Sequence, residues 1–206
     1  MTNDRIMKIE PVTLEGRYVR LEPLTLTHVD QLCEVGLDED IWRWTLYVVK
    51  TPEDLRAFVE DELKRQETGT ALVFAQIDLA SERAAGTTRL MNIDAAHRRL
   101  EIGGTWLARR WQRTPINSEA KYLLLRHAFE TLGCIRVEFK TDALNEQSRR
   151  AILRLGAREE GRLRKHMITA VGRVRDSITF SIIDSEWPEI KANLGEKLAR
   201  PYPSKT

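Results

Sequence analysis

Hydrophobic and polar positions change their period several times along the chain, and each change marks an element. In "GRYVRLEPL" (16–24), Tyr18 and Arg20 alternate with Val19 and Leu21, which predicts a strand. "TLTHVDQLCEVG" then spaces Val29, Leu32 and Cys33 at helical intervals, with Thr27 as the expected N-cap. A second helix is expected from Thr51-Pro52, because threonine caps and proline suits the first helical position. Its apolar stripe is Leu55, Phe58, Val59 and Leu63. Three strands follow, at 71–78, 86–94 and 100–108, separated by the turn-rich "LASERAAG" and "AAHRR". Gaps this short imply antiparallel hairpins.

The helical period returns with Leu124, Leu125, Ala128, Phe129 and Leu132, and Gly133 ends the run. "CIRVEFKTD" alternates Ile135, Val137 and Phe139 against Arg136, Glu138 and Lys140, a strand with one polar face. Asn145 leads a helix through Ile152 and Leu155, closed by Gly156. Two strands flank a turn at Gly172, and a last helix, about 186–199, carries Trp187, Ile190, Leu194 and Leu198. The order is β-α-α-β-β-β-α-β-α-β-β-α. A strand, a helix and a strand in mid-chain place one parallel crossover inside an otherwise antiparallel sheet. With no internal repeat and no low-complexity linker, residues 1–206 read as a single domain with a core at about 16–184.

Composition narrows the function classes. A formal net charge of +2 is too small for an electrostatic nucleic-acid binder. The basic run "RRAILRLGAREEGRLRKH" (149–166) reads mainly as a solvated face, with room for a small anionic ligand. Cys33 and Cys134 have no paired spacing, so neither a disulfide framework nor a thiolate metal site is expected. Cys134 follows a helix C-terminus, which disfavours a thiolate and argues against a cysteine hydrolase. His28, His97, His127 and His166 lack metal-ligand spacing, and no metal is expected. The stretch "MTNDRIMKIEPVTLEG" has no signal pattern, and no apolar run approaches membrane-spanning length. A cytoplasmic protein without a membrane partner is expected; a homodimer is left open.

Candidate chemistry gathers where the strands end. Glu101 lies on the central strand just before Gly103 and Gly104, which suit a bend or bulge. The segment 112–118 joins that strand to a helix, and Asn145 and Ser148 form an N-x-x-S pair after the next strand. Carboxyl ends of neighbouring strands are where open α/β sheets bind ligands.

Over roughly residues 16–184, the order of these features resembles the GNAT superfamily of acyl-CoA-dependent N-acetyltransferases. "LEIGGTWLARRWQ", "NSEAKYLLLRHAFETLGCIRVEFKTDALNEQS" and "RRAILRLGAREEG" carry the resemblance, which is closest to the branch with ribosomal-protein N-terminal acetyltransferases. It implies an α/β (α+β) fold, a mixed and mostly antiparallel sheet with helices on both faces. It also implies acetyl-CoA as cosubstrate and an amine acceptor: a protein N-terminus, a lysine, a polyamine or a drug. The superfamily's pyrophosphate loop reads Q/R-x-x-G-x-G/A; here Gln112 is kept, but Pro115 and Asn117 replace its small residues. Proline lacks an N–H donor, so the loop is either a modified phosphate site or only a helix cap at Thr114-Pro115.

By resemblance, Gln112, Arg113, Thr114, Asn117 and Ser118 would hold the pyrophosphate. The backbone from Thr105 through Trp106 and Leu107 would hold pantetheine, with the Thr105 N–H facing the oxyanion. Ser148 would protonate the leaving thiolate and Asn145 would hold the pantetheine arm, or Asn145 is an N-cap. Glu101 has two readings, a base acting through water or a strand residue paired with an arginine. Trp42 and Trp44 lie in the region that shapes the acceptor pocket, or in the core. The rival from another class is an acyl-CoA-binding protein without transferase activity, kept open by the lost loop glycines.

Overall fold

The structure is a computed structural model that describes Met7 and residues 9–200. The N-terminal stretch read above for a targeting signal lies partly outside the described residues, as do residues 201–206. In chain order the first elements are β1 (Leu14–Glu15), β2 (Val19–Pro23), α1 (Val29–Gly36), α2 (Glu39–Trp42) and α3 (Pro52–Glu67). Next come β3 (Ala71–Asp78), β4 (Arg83–Asp94), β5 (Arg99–Leu107), α4 (Pro115–Arg126) and β6 (Arg136–Asp142). The chain closes with α5 (Glu146–Leu155), β7 (Arg158–Ile168), β8 (Val174–Ile183) and α6 (Trp187–Ala199). This is the expected order with two short additions, β1 and α2.

Thr51 caps α3 in a capping box with Asp54, and Pro52 sits in its first turn, as expected. Thr27 is not a cap. Thr25 opens a 3-10 turn at Leu26–His28, because its hydroxyl and N–H both meet the His28 ring, and α1 starts only at Val29. Ile135 stands 43% exposed just ahead of β6 instead of on its inner face.

The strands form one eight-stranded sheet in the order β1-β2-β3-β4-β5-β6-β8-β7. Every neighbouring pair is antiparallel except β5 and β6. Helices α4, α5 and α6 cover one face through Ala120, Leu124, Ile152, Leu155, Trp187 and Ile190. The other face is covered only over its first half, by Leu32 of α1, Trp42 of α2, and Leu55, Phe58 and Val59 of α3. Strand β3 lies between both layers, sending Leu72 and Phe74 to one and Val73 and Ala75 to the other. That explains its unbroken apolar run. Beyond β5 the second face carries polar side chains instead, among them Glu138, Lys140 and Ser181.

One polar contact fixes α4 on the sheet. Glu119 is buried, and its carboxylate accepts the N–H groups of Arg17 at 2.8 Å, Tyr18 at 2.6 Å and Val19 at 2.9 Å. It thereby satisfies the chain entering β2, and a Cβ on Gly16 would stand 2.4 Å from that carboxyl group, so only glycine fits there. Removing the acceptor strands three donors, one of them on the fully buried Val19. Glu119→Ala is therefore expected to cost about 3 kcal/mol, read as a lowered urea midpoint with an unchanged slope.

Candidate active site

The site begins where the parallel pair opens. β5 and β6 pair only through Arg99–Arg136, Leu100–Val137 and Glu101–Glu138, yet both strands run on. Past Glu101, one edge of β5 therefore has no strand beside it. The divergence coincides with a break in the β4–β5 register between Thr87 and Arg89, opposite Gly104 and Thr105. Gly104 has φ +54°, and a Cβ there would lie 2.6 Å from Nε of Arg89, whose guanidinium is locked onto the buried Glu62. Both facts require glycine at this bulge, the distortion expected from the paired glycines.

Glu101 stands at the fork with its side chain 6% exposed. Lys140 Nζ lies 2.7 Å from its Oε2, and Asn92 Nδ2 donates to the same oxygen at 2.8 Å. The expected arginine partner is thus a lysine, supplied by the polar face of β6.

The loop after β5 is tied to both sides of the opening. Gln112 Nε2 donates to the Leu107 carbonyl at 3.0 Å, and its Oε1 accepts from Gln147 of α5 at 3.3 Å. Thr114 occupies the N-cap position of α4, but its hydroxyl turns back to the Trp111 carbonyl at 2.6 Å and makes no capping bond. The first-turn N–H groups thus lack a side-chain cap, and no acidic residue sits in that turn. Pro115 occupies the first turn, where its missing N–H costs no helical bond. Arg113, at φ +59°, and Ser118 are exposed, while Asn117 is half-buried with a buried Oδ1 that has no partner among the described residues. A helix start whose N–H groups have no side-chain cap and no acidic neighbour suits an anion better than it suits a plain turn.

Asn145 does cap α5, its Oδ1 accepting the Ser148 N–H at 3.0 Å. That leaves the half-buried Ser148 hydroxyl without a hydrogen bond among the described residues. Trp42 is a core residue instead of a pocket wall. It is 4% exposed, its indole N–H donates to the Gly36 carbonyl at 2.6 Å, and its ring meets Phe58 and Trp106 at 5.1 and 5.2 Å. The side chains of Trp106 and Leu107 are buried in opposite cores, so only their backbone borders the opening. Trp44 is half-buried and reaches toward the far half of the sheet, 5.7 Å from the Arg173 guanidinium.

Two groups escaped the sequence reading. The first is Lys121 on α4, which stands among inward positions. Its Nζ donates to Thr105 Oγ1 at 2.5 Å and to Thr88 Oγ1 at 3.0 Å, and the two hydroxyls are 2.8 Å apart. This triangle ties α4, β4 and β5 together directly under the bulge. Burial, with no carboxylate against it, pushes the Lys121 amine down to about 7. The second is a charged cluster of Asp142, Arg173 and Arg175 at the end of β6 and start of β8. A lysine inside an apolar stripe was the only local signal for the first; the second depends on which strands become neighbours. Burial also pushes the Cys134 thiol up to about 12, against a thiolate nucleophile. Among the described residues no group of His, Cys, Asp and Glu could hold a metal ion, and no helix is long and apolar enough to cross a membrane.

A mixed sheet that splays at one parallel pair, with an uncapped helix start at its mouth, is the layout of an acyl-CoA-dependent transferase. The sequence matches the acetyltransferase (GNAT) domain over residues 19–158, and the chain belongs to this family of N-acetyltransferases, which use acetyl-CoA as cosubstrate. A GCN5-related N-acetyltransferase from Brucella melitensis is 38% identical with a TM-score of 0.87, covering 93% of this chain and 87% of its own. A probable GNAT-family acetyltransferase from Chromobacterium violaceum is 29% identical with a TM-score of 0.82, over 91% and 94% of the two chains. Ribosomal-protein-S5-alanine acetyltransferase from Vibrio fischeri shares the fold at 18% identity and a TM-score of 0.69, over 85% and 98%. No curated protein matches the chain.

Lys121 generates a pH test. Its amine titrates near 7 in the folded chain and near 10.5 when unfolded. Between those values the unfolded chain holds a proton that the folded chain lacks, so stability rises with pH across that window. Below it, the full cost of a buried ammonium is present. Lys121→Met leaves the two threonine hydroxyls bonded to each other. The variant is expected to have the higher urea midpoint at about pH 6, with the gap closing towards about pH 10.

Proposed function

We propose that the enzyme acetylates a primary amine, on a protein N-terminus or a small molecule, by direct attack within a ternary complex. The observation that carries this reading is the opening of β5 from β6 directly after Glu101, with the Gly104 bulge on one wall and Ser148 beyond the other. The pyrophosphate lies on the first turn of α4, held by N–H groups of that turn with Gln112, Arg113, Thr114, Asn117 and Ser118 around it. Pantetheine runs along the unpaired edge of β5, against the backbone of Thr105, Trp106 and Leu107.

Glu101 takes a proton from the ammonium of the acceptor through water, and the freed lone pair attacks the thioester carbonyl carbon. The oxygen that becomes negative receives the Thr105 N–H, whose strand is pinned from below by Lys121. The carbon–sulfur bond then breaks, the departing sulfur takes the proton of Ser148, and the surplus proton of the newly acylated nitrogen passes to the serine oxygen through water, restoring the hydroxyl. Asn145 orients Ser148 by capping its helix, and Trp44 walls the acceptor side. Lys140 serves Glu101 by holding one carboxylate oxygen, which turns the group without blocking the other oxygen.

The test is free-thiol release from acetyl-CoA against a panel of amines and N-terminal peptides. Glu101→Gln and Ser148→Ala are each expected to lower kcat by about 10²–10⁴-fold, with little change in KM for acetyl-CoA. Raising the pH rescues Glu101→Gln in part, because more acceptor amine is then already neutral. Wild-type rates in both variants would leave positioning, not proton transfer, as the source of catalysis.

The loop has its own test. Two unit charges about 4 Å apart repel by about 4 kcal/mol at an effective dielectric of about 20. Asn117→Asp is therefore expected to weaken CoA binding at least tenfold in calorimetric titration, before any effect of added salt. Pantetheine, which lacks the pyrophosphate, should bind both proteins alike. Equal CoA affinity would move the pyrophosphate elsewhere and make this segment only a helix start.

A further inference from the structure

The uncovered face of the sheet carries a network of paired charges in which one guanidinium is held less closely than the rest. Glu101 is matched by Lys140 at 2.7 Å, and Glu138 by Arg136 at 2.9 Å. Asp142, with its side chain 1% exposed, is matched by Arg173 and by the Leu144 N–H at 2.9 Å. Arg175 shares Asp142 with Arg173, at longer range. Its side chain is 9% exposed, and its Nε donates to Ser177 Oγ at 3.0 Å, where His166 Nδ1 also points at 3.0 Å. Its nearest carboxylate oxygen, Asp142 Oδ2, lies 3.9 Å from Nε. Neither Nη group has a hydrogen-bonding partner among the described residues. Burial holds this guanidinium below its usual value, with Arg173 acting in the same direction and Asp142 and Glu101 against it.

The Nη groups of Arg175 are free of hydrogen bonds to the described residues and reach the surface, and the planar fork they form fits a carboxylate with two parallel bonds. Its place gives that fork a use. Arg175 shares the face of Glu101 and Lys140, close enough for Glu101 to act on its charge. Trp44 comes over from the other half of the sheet, with Arg43 at 4.9 Å and Arg173 at 5.7 Å from its ring centre, and so meets the cluster through Arg173, which shares Asp142 with Arg175.

We propose that the acceptor is a primary amine that carries a carboxylate, received by the Nη groups of Arg175 while the amine lies at Glu101. This rests on the acceptor side assigned above. The carboxylate comes either from a free amino acid or from an acidic side chain near a peptide N-terminus, and the experiment separates the two.

Thiol release is measured with free L-amino acids against their carboxamides, and with peptides bearing Asp or Glu against Asn or Gln in the first two positions. Wild type is expected to favour the carboxylate member by about 10- to 100-fold in kcat/KM, the worth of a charged hydrogen-bonded pair. Preference confined to one arm identifies the source. Arg175→Gln is expected to bring the ratio near one, and Arg175→Lys, which keeps the charge without the fork, to fall between. Acetyl-CoA titration of each variant reports that it is folded. If Arg175→Gln does not fold, the wild-type ratio decides, together with a thermal midpoint raised by the N-acetylated carboxylate and not by its amide. Wild type that binds acetyl-CoA yet treats the pairs alike, or acetylates neither member, overturns this inference and leaves the cofactor site standing. Absence of acetyl-CoA binding overturns the cofactor site and this inference with it.

Discussion

The short parallel seam between β5 and β6 is the constraint on which the rest of the molecule depends. Its three residue pairs join two halves that are otherwise antiparallel. Hydrogen bonding alone would favour a longer seam, since each strand continues past it. The bulge at Gly104 turns β5 away, and Arg89, locked onto Glu62, fills the space beneath it where a side chain would otherwise sit. A backbone edge left unpaired inside a domain needs another partner. Along β5 we propose that this partner is the ligand, and the crossover through α4 brings an uncapped helix start to the end of that edge.

The two faces of the sheet solve different problems around that seam. The face under α4 is mostly apolar, and beside Gln76 and Glu119 its polar groups include the triangle of Lys121, Thr88 and Thr105. A methionine there would fill the same volume without desolvating an amine, so the lysine lowers stability at neutral pH. Its compensation is local: one nitrogen fixes both strands at the bulge that presents Thr105. The opposite face is covered by helices only as far as β5, and its remainder is held by paired charges. Charges that cancel one another within hydrogen-bonding distance leave little net field. Arg175, whose Nη groups make no hydrogen bond among the described residues, is the least closely paired of them, and on our proposal it is what an approaching acceptor meets.

The same division explains how far the sequence could be read. Element positions were legible because they depend on local period and capping: 71–78 is a strand as expected, Thr51-Pro52 starts α3, and Asn145 caps α5. The paired glycines announced the bulge, since a positive φ is a local demand. Thr27 misled because serine and threonine runs offer several caps, and the one used was chosen by the His28 ring. Trp42 misled because an aromatic residue between helices fits a pocket or a core equally well. Only contact with Phe58 and Trp106, far away in sequence, distinguishes them.

By itself the sequence determined the run of strands and helices, the place of the crossover and the residues that bring Glu101, the 112–118 loop and Ser148 to one end of the sheet. These follow from forces between residues a few positions apart, and order along the chain restricts which strands can be neighbours. Tertiary structure decided the partners. Lys140 meets Glu101, Lys121 meets two threonines and Arg175 shares the carboxylate of Asp142 with Arg173 because β5, β6 and β8 lie side by side. Charge pairing acts through space over a few ångströms, between residues as far apart as 101 and 140, and no local pattern encodes which of several candidates will be close enough.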